Sequence, residues 1–211
     1  MLLFACISEG RKFNPKKEIM AVQTANVVVK NETGKTLRSV NVVYKYSDDY
    51  KNKEDWGRLS PNGSTAPALR VEYNTGALTT GRDWWVVSWE YEGDDKLYHT
   101  DPNNMRGFVD ILEKASAVAI PIALAAAGAA VGAGATAGAG TAAGGAAAAA
   151  AGTILSNALF NAESTSGFKQ HILRSEDADK TMSIIIDANN DVTFDSKSGK
   201  SKTGSSFIAA N

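Results

Sequence analysis

The segment from Ala115 to Ala162 constrains the fold of this chain more than any other stretch. It contains no charged residue, and 23 of its 48 positions are alanine and 8 are glycine. Alanine is the best helix former, whereas each glycine inside a helix costs about 1 kcal/mol relative to it. The segment therefore predicts a helical hairpin, with helices over 122–131 and 146–160 and the turn in the glycine-rich part at 132–145.

Three interpretations of this hairpin differ in what it contacts. It packs on the rest of the protein, it inserts into a membrane as two spans of about 20 residues, or it is a flexible tether. Alanine and glycine contribute little transfer energy compared with leucine, isoleucine and phenylalanine, which favours the packed hairpin. The residues predicted to make the contact, whether with protein or with lipid, are the bulky apolar ones: Ile120, Ile122, Leu124, Val131, Ile154, Leu155, Leu159 and Phe160.

The two arms that flank this segment have the composition of β-strands. Val22–Lys30 and Leu37–Tyr46 are rich in β-branched residues and are separated by turn residues, which predicts a β-hairpin. Arg82–Tyr91 is apolar on both faces and predicts a central strand that is covered on both sides. With the other short runs, these arms predict a mainly β, antiparallel β-sandwich that an Ala/Gly-rich helical hairpin interrupts.

The domain organisation that follows is simple. Residues 1–20 are assigned to an N-terminal tail, and 21–211 to a single β-sandwich domain with the helical insertion at about 103–162. The polar runs 47–55 and 197–206 are expected to be loops, and Phe207-Ile208 a last edge strand. Met20 opens the first strand pattern, so Met1 and Met20 are both candidate start residues.

The net charge and the cysteine content indicate which partners and which cellular compartment to expect for the protein. The chain has 22 basic and 23 acidic residues, a net charge of -1, so we expect no nucleic-acid partner. A single cysteine, Cys6, forms no internal disulfide. The first apolar run is shorter than the usual core of a signal peptide, which disfavours secretion without excluding it. We therefore expect a cytoplasmic protein.

Few residues of the chain are suited to catalysis. The two histidines are His99 and His171, and only His99 has an acidic residue close in sequence, Asp101. This pair permits a hydrolase as one alternative, although a structural histidine at a strand end is favoured. Asp83 is interpreted as a turn or ion-pair residue. No metal-ligand or cofactor motif is present in the sequence, so we expect a non-enzymatic protein without cofactor or metal.

Acidic and aromatic residues alternate between positions 44 and 56. Acidic groups beside aromatic rings can bind sugars, choline head groups or cations. The same pattern also describes a solvated loop that aromatic residues anchor to a sheet. A small-molecule ligand of unknown identity is thus one interpretation of this patch, whose predicted members are Tyr46, Asp48, Asp49, Tyr50 and Trp56.

Four longer motifs resemble the PUD-domain family, small proteins named for up-regulation in long-lived nematode insulin-receptor mutants and found also in fungi. They are YKYSDDYKNKEDW at 44–56, YNTGALTTGRDWWVVSWEY at 73–91, YHTDPNNMRGF at 98–108 and STSGFKQHILRSEDADK at 164–180. The resemblance implies a β-sandwich similar to the aegerolysins, pairing between related subunits and no established enzymatic activity. It supplies no functional residues.

The function expected from these observations is binding. The first hypothesis is association with a second copy of the chain or with a homologous subunit. The alternative is a lipid-binding or membrane-perturbing protein that uses the uncharged hairpin at 115–162.

Overall fold

The computed structural model describes residues 20–47, 49–76, 79–115 and 140–209. It contains eleven strands, two helices and one turn of 3-10 helix (Ser175–Asp177) within those ranges. The helices are α1 (Met105–Ala115) and α2 (Gly140–Asn161). The strands are β1 (Ala21–Glu32), β2 (Leu37–Tyr46), β3 (Tyr50–Trp56), β4 (Leu69–Thr75), β5 (Asp83–Tyr91), β6 (Lys96–Thr100), β7 (Lys169–Gln170), β8 (Thr181–Asp187), β9 (Val192–Ser196), β10 (Gly199–Thr203) and β11 (Ser205–Ala209).

Two sheets form the body of the protein. The five-stranded sheet has the order β10-β9-β8-β1-β4, and the six-stranded sheet has the order β11-β6-β5-β2-β3, with the short β7 also paired to β5. Strands β1 and β8 run parallel, and the other strand pairs of the described residues are antiparallel. The predicted mainly β sandwich is therefore confirmed, with one parallel pair in place of a fully antiparallel arrangement.

The core lies between the two sheets, where alternate residues of each strand point inward. The Trp85 ring of β5 lies 4.4 Å from the ring of Tyr44 and 6.1 Å from that of Phe194, between centroids. Because Phe194 belongs to the five-stranded sheet, these contacts join the two layers directly. Val27, Ile184 and many other apolar residues of both sheets complete the same cluster.

Strands from both sides of the insertion share the two sheets. Strand β1 pairs with β8, and β6 pairs with β11. Strand β5 lies in the middle of its sheet, as its sequence predicted, and pairs with β2, β6 and β7.

The predicted hairpin of β1 and β2 is wrong, because the two strands lie in different sheets. Asn31, at the end of β1, explains the change of direction. Its side-chain amide donates hydrogen bonds to the carbonyls of Lys35, Leu59 and Ser60 at 2.8, 3.1 and 3.0 Å. These bonds hold the connection between β1 and β2 as it crosses from one sheet to the other. The turn residues at 31–35 therefore do not pair β2 with β1 in a hairpin.

Two segments that were predicted as loops are strands. Strand β3 (YKNKEDW) follows β2 in an antiparallel hairpin with the register Val42↔Glu54, and it ends at Trp56. Strand β10 (GKSKT) pairs with β9. Both are edge strands, so their outward side chains are polar and lack the apolar alternation on which a sequence prediction depends.

Helix α2 covers the outer face of the six-stranded sheet. Leu155 and Leu159 are fully buried there against Val43 and Val86 of the sheet and Phe108 of α1. The helix begins at Gly140, so residues 140–145, which the sequence assigned to the turn, are helical. The predicted helix at 122–131 and the rest of the turn lie outside the described residues. This apolar cluster between α2 and the sheet forms a second core, which explains why both faces of β2 and β5 are buried.

Candidate functional site

The predicted acidic and aromatic patch is divided between the two ends of strand β3. Tyr46 is buried and its hydroxyl donates to the Asn74 carbonyl at 3.2 Å, with the Tyr50 ring 6.0 Å away. Trp56 lies at the far end of the strand, about 20 Å along it. Its indole N–H donates to the Pro67 carbonyl at 2.8 Å. Asp49 is exposed beside Tyr50, and Asp48 lies outside the described residues. The structure does not bring the five residues together.

The apolar residues proposed for the contact of the insertion have different environments. Leu155 and Leu159 are buried under the helix, and Ile154 and Phe160 are partly buried against the same cluster. Ile120, Ile122, Leu124 and Val131 lie outside the described residues. In the described ranges, no helix is both long enough and apolar enough to cross a membrane. The lipid-binding alternative stays a prediction.

A polar layer joins helix α2 to the sheet. Glu90 of β5 is fully buried, and its Oε2 accepts hydrogen bonds from Nε and Nη2 of Arg38 at 3.0 and 2.7 Å. Its Oε1 accepts from the Ser39 hydroxyl at 3.2 Å and from the backbone N–H of Gly152 in α2 at 3.1 Å. Burial raises the pKa of Glu90, although Arg38 acts against this shift. The carboxylate therefore connects both central strands to the helix.

The C-terminal end of α2 is held by a second buried charge, Lys45 of β2. Its ammonium group donates to the carbonyls of Ala162 and Ser164, and it lies 4.7 Å from the centroid of the Phe168 ring. The last carbonyls of a helix lack partners within the helix and carry partial negative charge, which a lysine at this position stabilises. Sequence reasoning missed Lys45 and Glu90, because their partners are remote in the chain.

His99 and Asp101 do not form an oriented pair. The His99 Nδ1 donates to the Thr100 carbonyl at 3.1 Å, and its ring packs 4.7 Å from that of Phe108. Burial lowers the pKa of His99, so the imidazole is neutral at pH 7. Asp101 instead accepts a hydrogen bond from the Ser206 hydroxyl at 2.5 Å. The non-enzymatic character of the protein stays a prediction, and so does its cytoplasmic location.

A different carboxylate, Asp83, lies buried at one end of the sandwich. Its Oδ1 accepts from the Tyr44 hydroxyl at 2.5 Å and its Oδ2 from the Leu173 backbone N–H at 3.0 Å. Burial raises the pKa of Asp83 to about 6, and the nearby Asp177 contributes in the same direction. No ion pair to Asp83 is present among the described residues, so its interpretation as an ion-pair residue is wrong for that part of the chain.

The edge strand β11 presents the most exposed aromatic side chain of the described surface. Phe207 is 53% exposed, and its ring lies 5.8 Å from that of Tyr98 on β6. Tyr98 in turn stacks on Trp89 of β5, also at 5.8 Å. A row of aromatic rings thus extends from the buried core to the free edge of the sheet.

Comparison with protein families agrees with the motifs of the sequence. The family model described as "Up-Regulated in long-lived daf-2" matches residues 21–205. No curated protein sequence matches the chain. The matched range begins with β1, includes the helical insertion and ends at the first residue of β11. The likeness to the aegerolysins stays a prediction. With a match over most of its length, the chain belongs to the PUD family, whose model is named PUD1_2.

Proposed function

We propose that this protein is a non-enzymatic interaction subunit, which pairs with a second copy of itself or with a related subunit through edge strand β11. The observation that carries the proposal is the difference between β11 and the other edge strands. Edge strands β3, β4 and β10 each contain at least two charged residues, which protect a sheet edge against pairing. Strand β11 (SSFIA) contains none and exposes Phe207.

The geometry of the edge suits an antiparallel partner strand. In the described residues β11 pairs only with β6, so the backbone groups on its outer side are free for a second strand. Two copies related by a two-fold axis would join their six-stranded sheets and bury both Phe207 rings. The aromatic row of Trp89, Tyr98 and Phe207 would then continue across the interface.

The test is the oligomeric state of the full chain, measured by light scattering after gel filtration and by sedimentation equilibrium. We expect a dimer for the wild type, and a dissociation constant that is about 10-fold or more higher for Phe207→Lys. The lysine places a charge at the edge and removes the apolar contact.

The matched control is Val109→Lys on α1. Val109 is 40% exposed, similar to Phe207, but it lies on a helix, which has no free strand edge. This variant should associate like the wild type. A wild type that stays monomeric at high concentration would refute the proposal, as would equal dissociation constants for Phe207→Lys and the wild type.

A further inference from the structure

The backbone groups of β11 alternate between the side of β6 and the side that has no neighbouring strand in the described residues. The Asp101 N–H donates to the Gly204 carbonyl at 3.0 Å, immediately before the paired residues begin. Along an antiparallel ladder, hydrogen-bonded and non-hydrogen-bonded pairs alternate. Every second residue from Gly204 onward therefore directs its N–H and C=O groups toward β6. The residues whose N–H and C=O groups point to the other side are Ser205, Phe207 and Ala209.

This alternation limits the ways in which a second copy of β11 can add to the edge. Two antiparallel strands related by a two-fold axis form hydrogen bonds only where outward-facing residues lie opposite each other. Registers centred on Ser206, Phe207 and Ile208 meet this condition. The register centred on Phe207 pairs the whole strand, because Ser205 and Ala209 then lie opposite each other. The other two registers pair only Ser205–Phe207 or only Phe207–Ala209.

The aromatic side chains favour the register centred on Phe207. On the face that carries Tyr98, the rings of Trp89, Tyr98 and Phe207 form a row with centroid distances of 5.8 Å. With the axis at Phe207, its ring lies opposite the same ring of the second copy, so the two rows become continuous. Aromatic pairs on neighbouring strands stabilise a sheet. In the other two registers, Phe207 faces Ser205 or Ala209 instead.

The charges near the edge are compatible with the same register. Lys96 lies opposite Ala209 in the ladder, and its ammonium group is 4.9 Å from the centroid of the Phe207 ring. With the axis at Phe207, this row continues to Ser205 and Thr100 of the second copy, neither of which is charged. Like charges that lie opposite each other destabilise a strand pair, and the lysines of the two copies do not meet in this way.

We propose that the partner of this protein is a second copy of the same chain, paired through β11 in the antiparallel register centred on Phe207. This rests on the association through β11 proposed above and adds the identity of the partner and the register. Ser206 then lies opposite Ile208 of the second copy in a non-hydrogen-bonded pair, whose Cα atoms are about 4.5 Å apart. Ser206 and Ser206 of the second copy are diagonal neighbours, about 7–8 Å apart.

Cysteine cross-linking distinguishes the three registers, because a disulfide requires Cα atoms about 4.4–6.8 Å apart. The full-length protein first loses its single native cysteine through Cys6→Ser, and Ser206→Cys or Ile208→Cys is then introduced. Each variant is oxidised with copper phenanthroline, alone and mixed with the other, and the products are separated on a non-reducing gel. The mixture is expected to give a covalent dimer of twice the chain mass, about 10-fold or more abundant than in either variant alone.

A second pair of variants tests the same register without changing Ile208, which packs against the cluster between the helices and the sheet. Ser205→Cys and Ala209→Cys replace two small side chains that are only partly buried. In the proposed register they lie opposite each other with Cα atoms about 5.5 Å apart, so their mixture should also cross-link. Light scattering under reducing conditions shows which variants still dimerise.

The outcomes separate a wrong register from a wrong association. Cross-linking of Ser206→Cys alone would place the axis at Ser206, and cross-linking of Ile208→Cys alone would place it at Ile208; either result overturns the proposed register. Variants that dimerise under reducing conditions but cross-link in neither mixture overturn it as well. A wild type that stays monomeric would instead refute the proposed association, and with it the second copy as partner.

Discussion

The buried ion pair between Arg38 and Glu90 provides a quantitative test of how the helical insertion is held on the sheet. Its donor and acceptor atoms are 2.7 Å apart, and the two side chains are 10% and 0% exposed. We consider the variants Arg38→Met and Glu90→Gln and the double variant that combines them. Glutamine keeps the shape of Glu90 and one oxygen for the Ser39 hydroxyl and the Gly152 N–H.

The magnitude follows from the burial of both charges. Each single variant leaves one buried ion without its partner, which costs about 3–5 kcal/mol of the free energy of unfolding. The double variant removes both charges and retains the hydrogen bonds to Ser39 and Gly152. It is expected to lose only about 1–2 kcal/mol, so the coupling energy between Arg38 and Glu90 should amount to several kcal/mol.

Urea unfolding followed by tryptophan fluorescence measures these differences, because Trp84, Trp85 and Trp89 lie on the same strand as Glu90. The exposed ion pair of Arg58 and Glu92 serves as the matched control. Its Nη2 and Oε2 atoms are 2.8 Å apart, but the two side chains are 66% and 54% exposed. Glu92→Gln should therefore cost no more than about 1 kcal/mol. If the single variants at the buried pair cost as little as this control, or if their effects simply add in the double variant, Arg38 and Glu90 do not stabilise each other in the folded protein.

Three further predictions concern stability. Burial raises the pKa of Asp83 from 3.8 to about 6, so folding favours the protonated carboxyl. The free energy of unfolding should therefore fall by about 3 kcal/mol as the pH rises from about 4 to about 6, and urea unfolding should show no such fall for Asp83→Asn. The same pH dependence in Asp83→Asn and the wild type would contradict this prediction. In the same assay, Leu155→Ala should lower the free energy of unfolding by about 2–5 kcal/mol and Ile154→Ala by less, because of the two only Leu155 is fully buried. Equal losses for the two variants would contradict the packing of α2 on the six-stranded sheet. A Cβ at Gly81 overlaps the Tyr46 hydroxyl, so Gly81→Ala should lower the free energy of unfolding by about 1–3 kcal/mol, and an unchanged melting temperature would exclude this contact.

The sequence predicted those elements whose residues carry a local apolar pattern. Strand β5 was recognised from the aromatic and apolar run Arg82–Tyr91, and its central place was inferred from apolar residues on both faces. Strand β3 was missed because an edge strand with Lys51, Lys53 and Glu54 shows no such pattern. The partner of β1 was also wrong, since a pattern identifies a strand but not the strand with which it pairs.

The candidate site could be predicted only in small part. Phe207 was expected on a final edge strand, and it lies on one. The environment of Asp83 depends on Tyr44, 39 residues before it, and on Leu173, 90 residues after it. A sequence pattern cannot predict contacts between residues so far apart in the chain. Such contacts depend on how the two sheets pack, whereas the apolar periodicity of a strand describes only that strand.

The parallel pairing of β1 with β8 has a consequence for synthesis on the ribosome. Thr24 and Asp179, which lie just before the first paired residues of this ladder, are 155 positions apart in the chain. Translation at about 5–20 residues per second therefore leaves β1 without this neighbour for roughly 8–30 seconds. During that interval a nascent chain exposes one edge of a valine-rich strand, and unpaired strand edges with apolar residues promote aggregation.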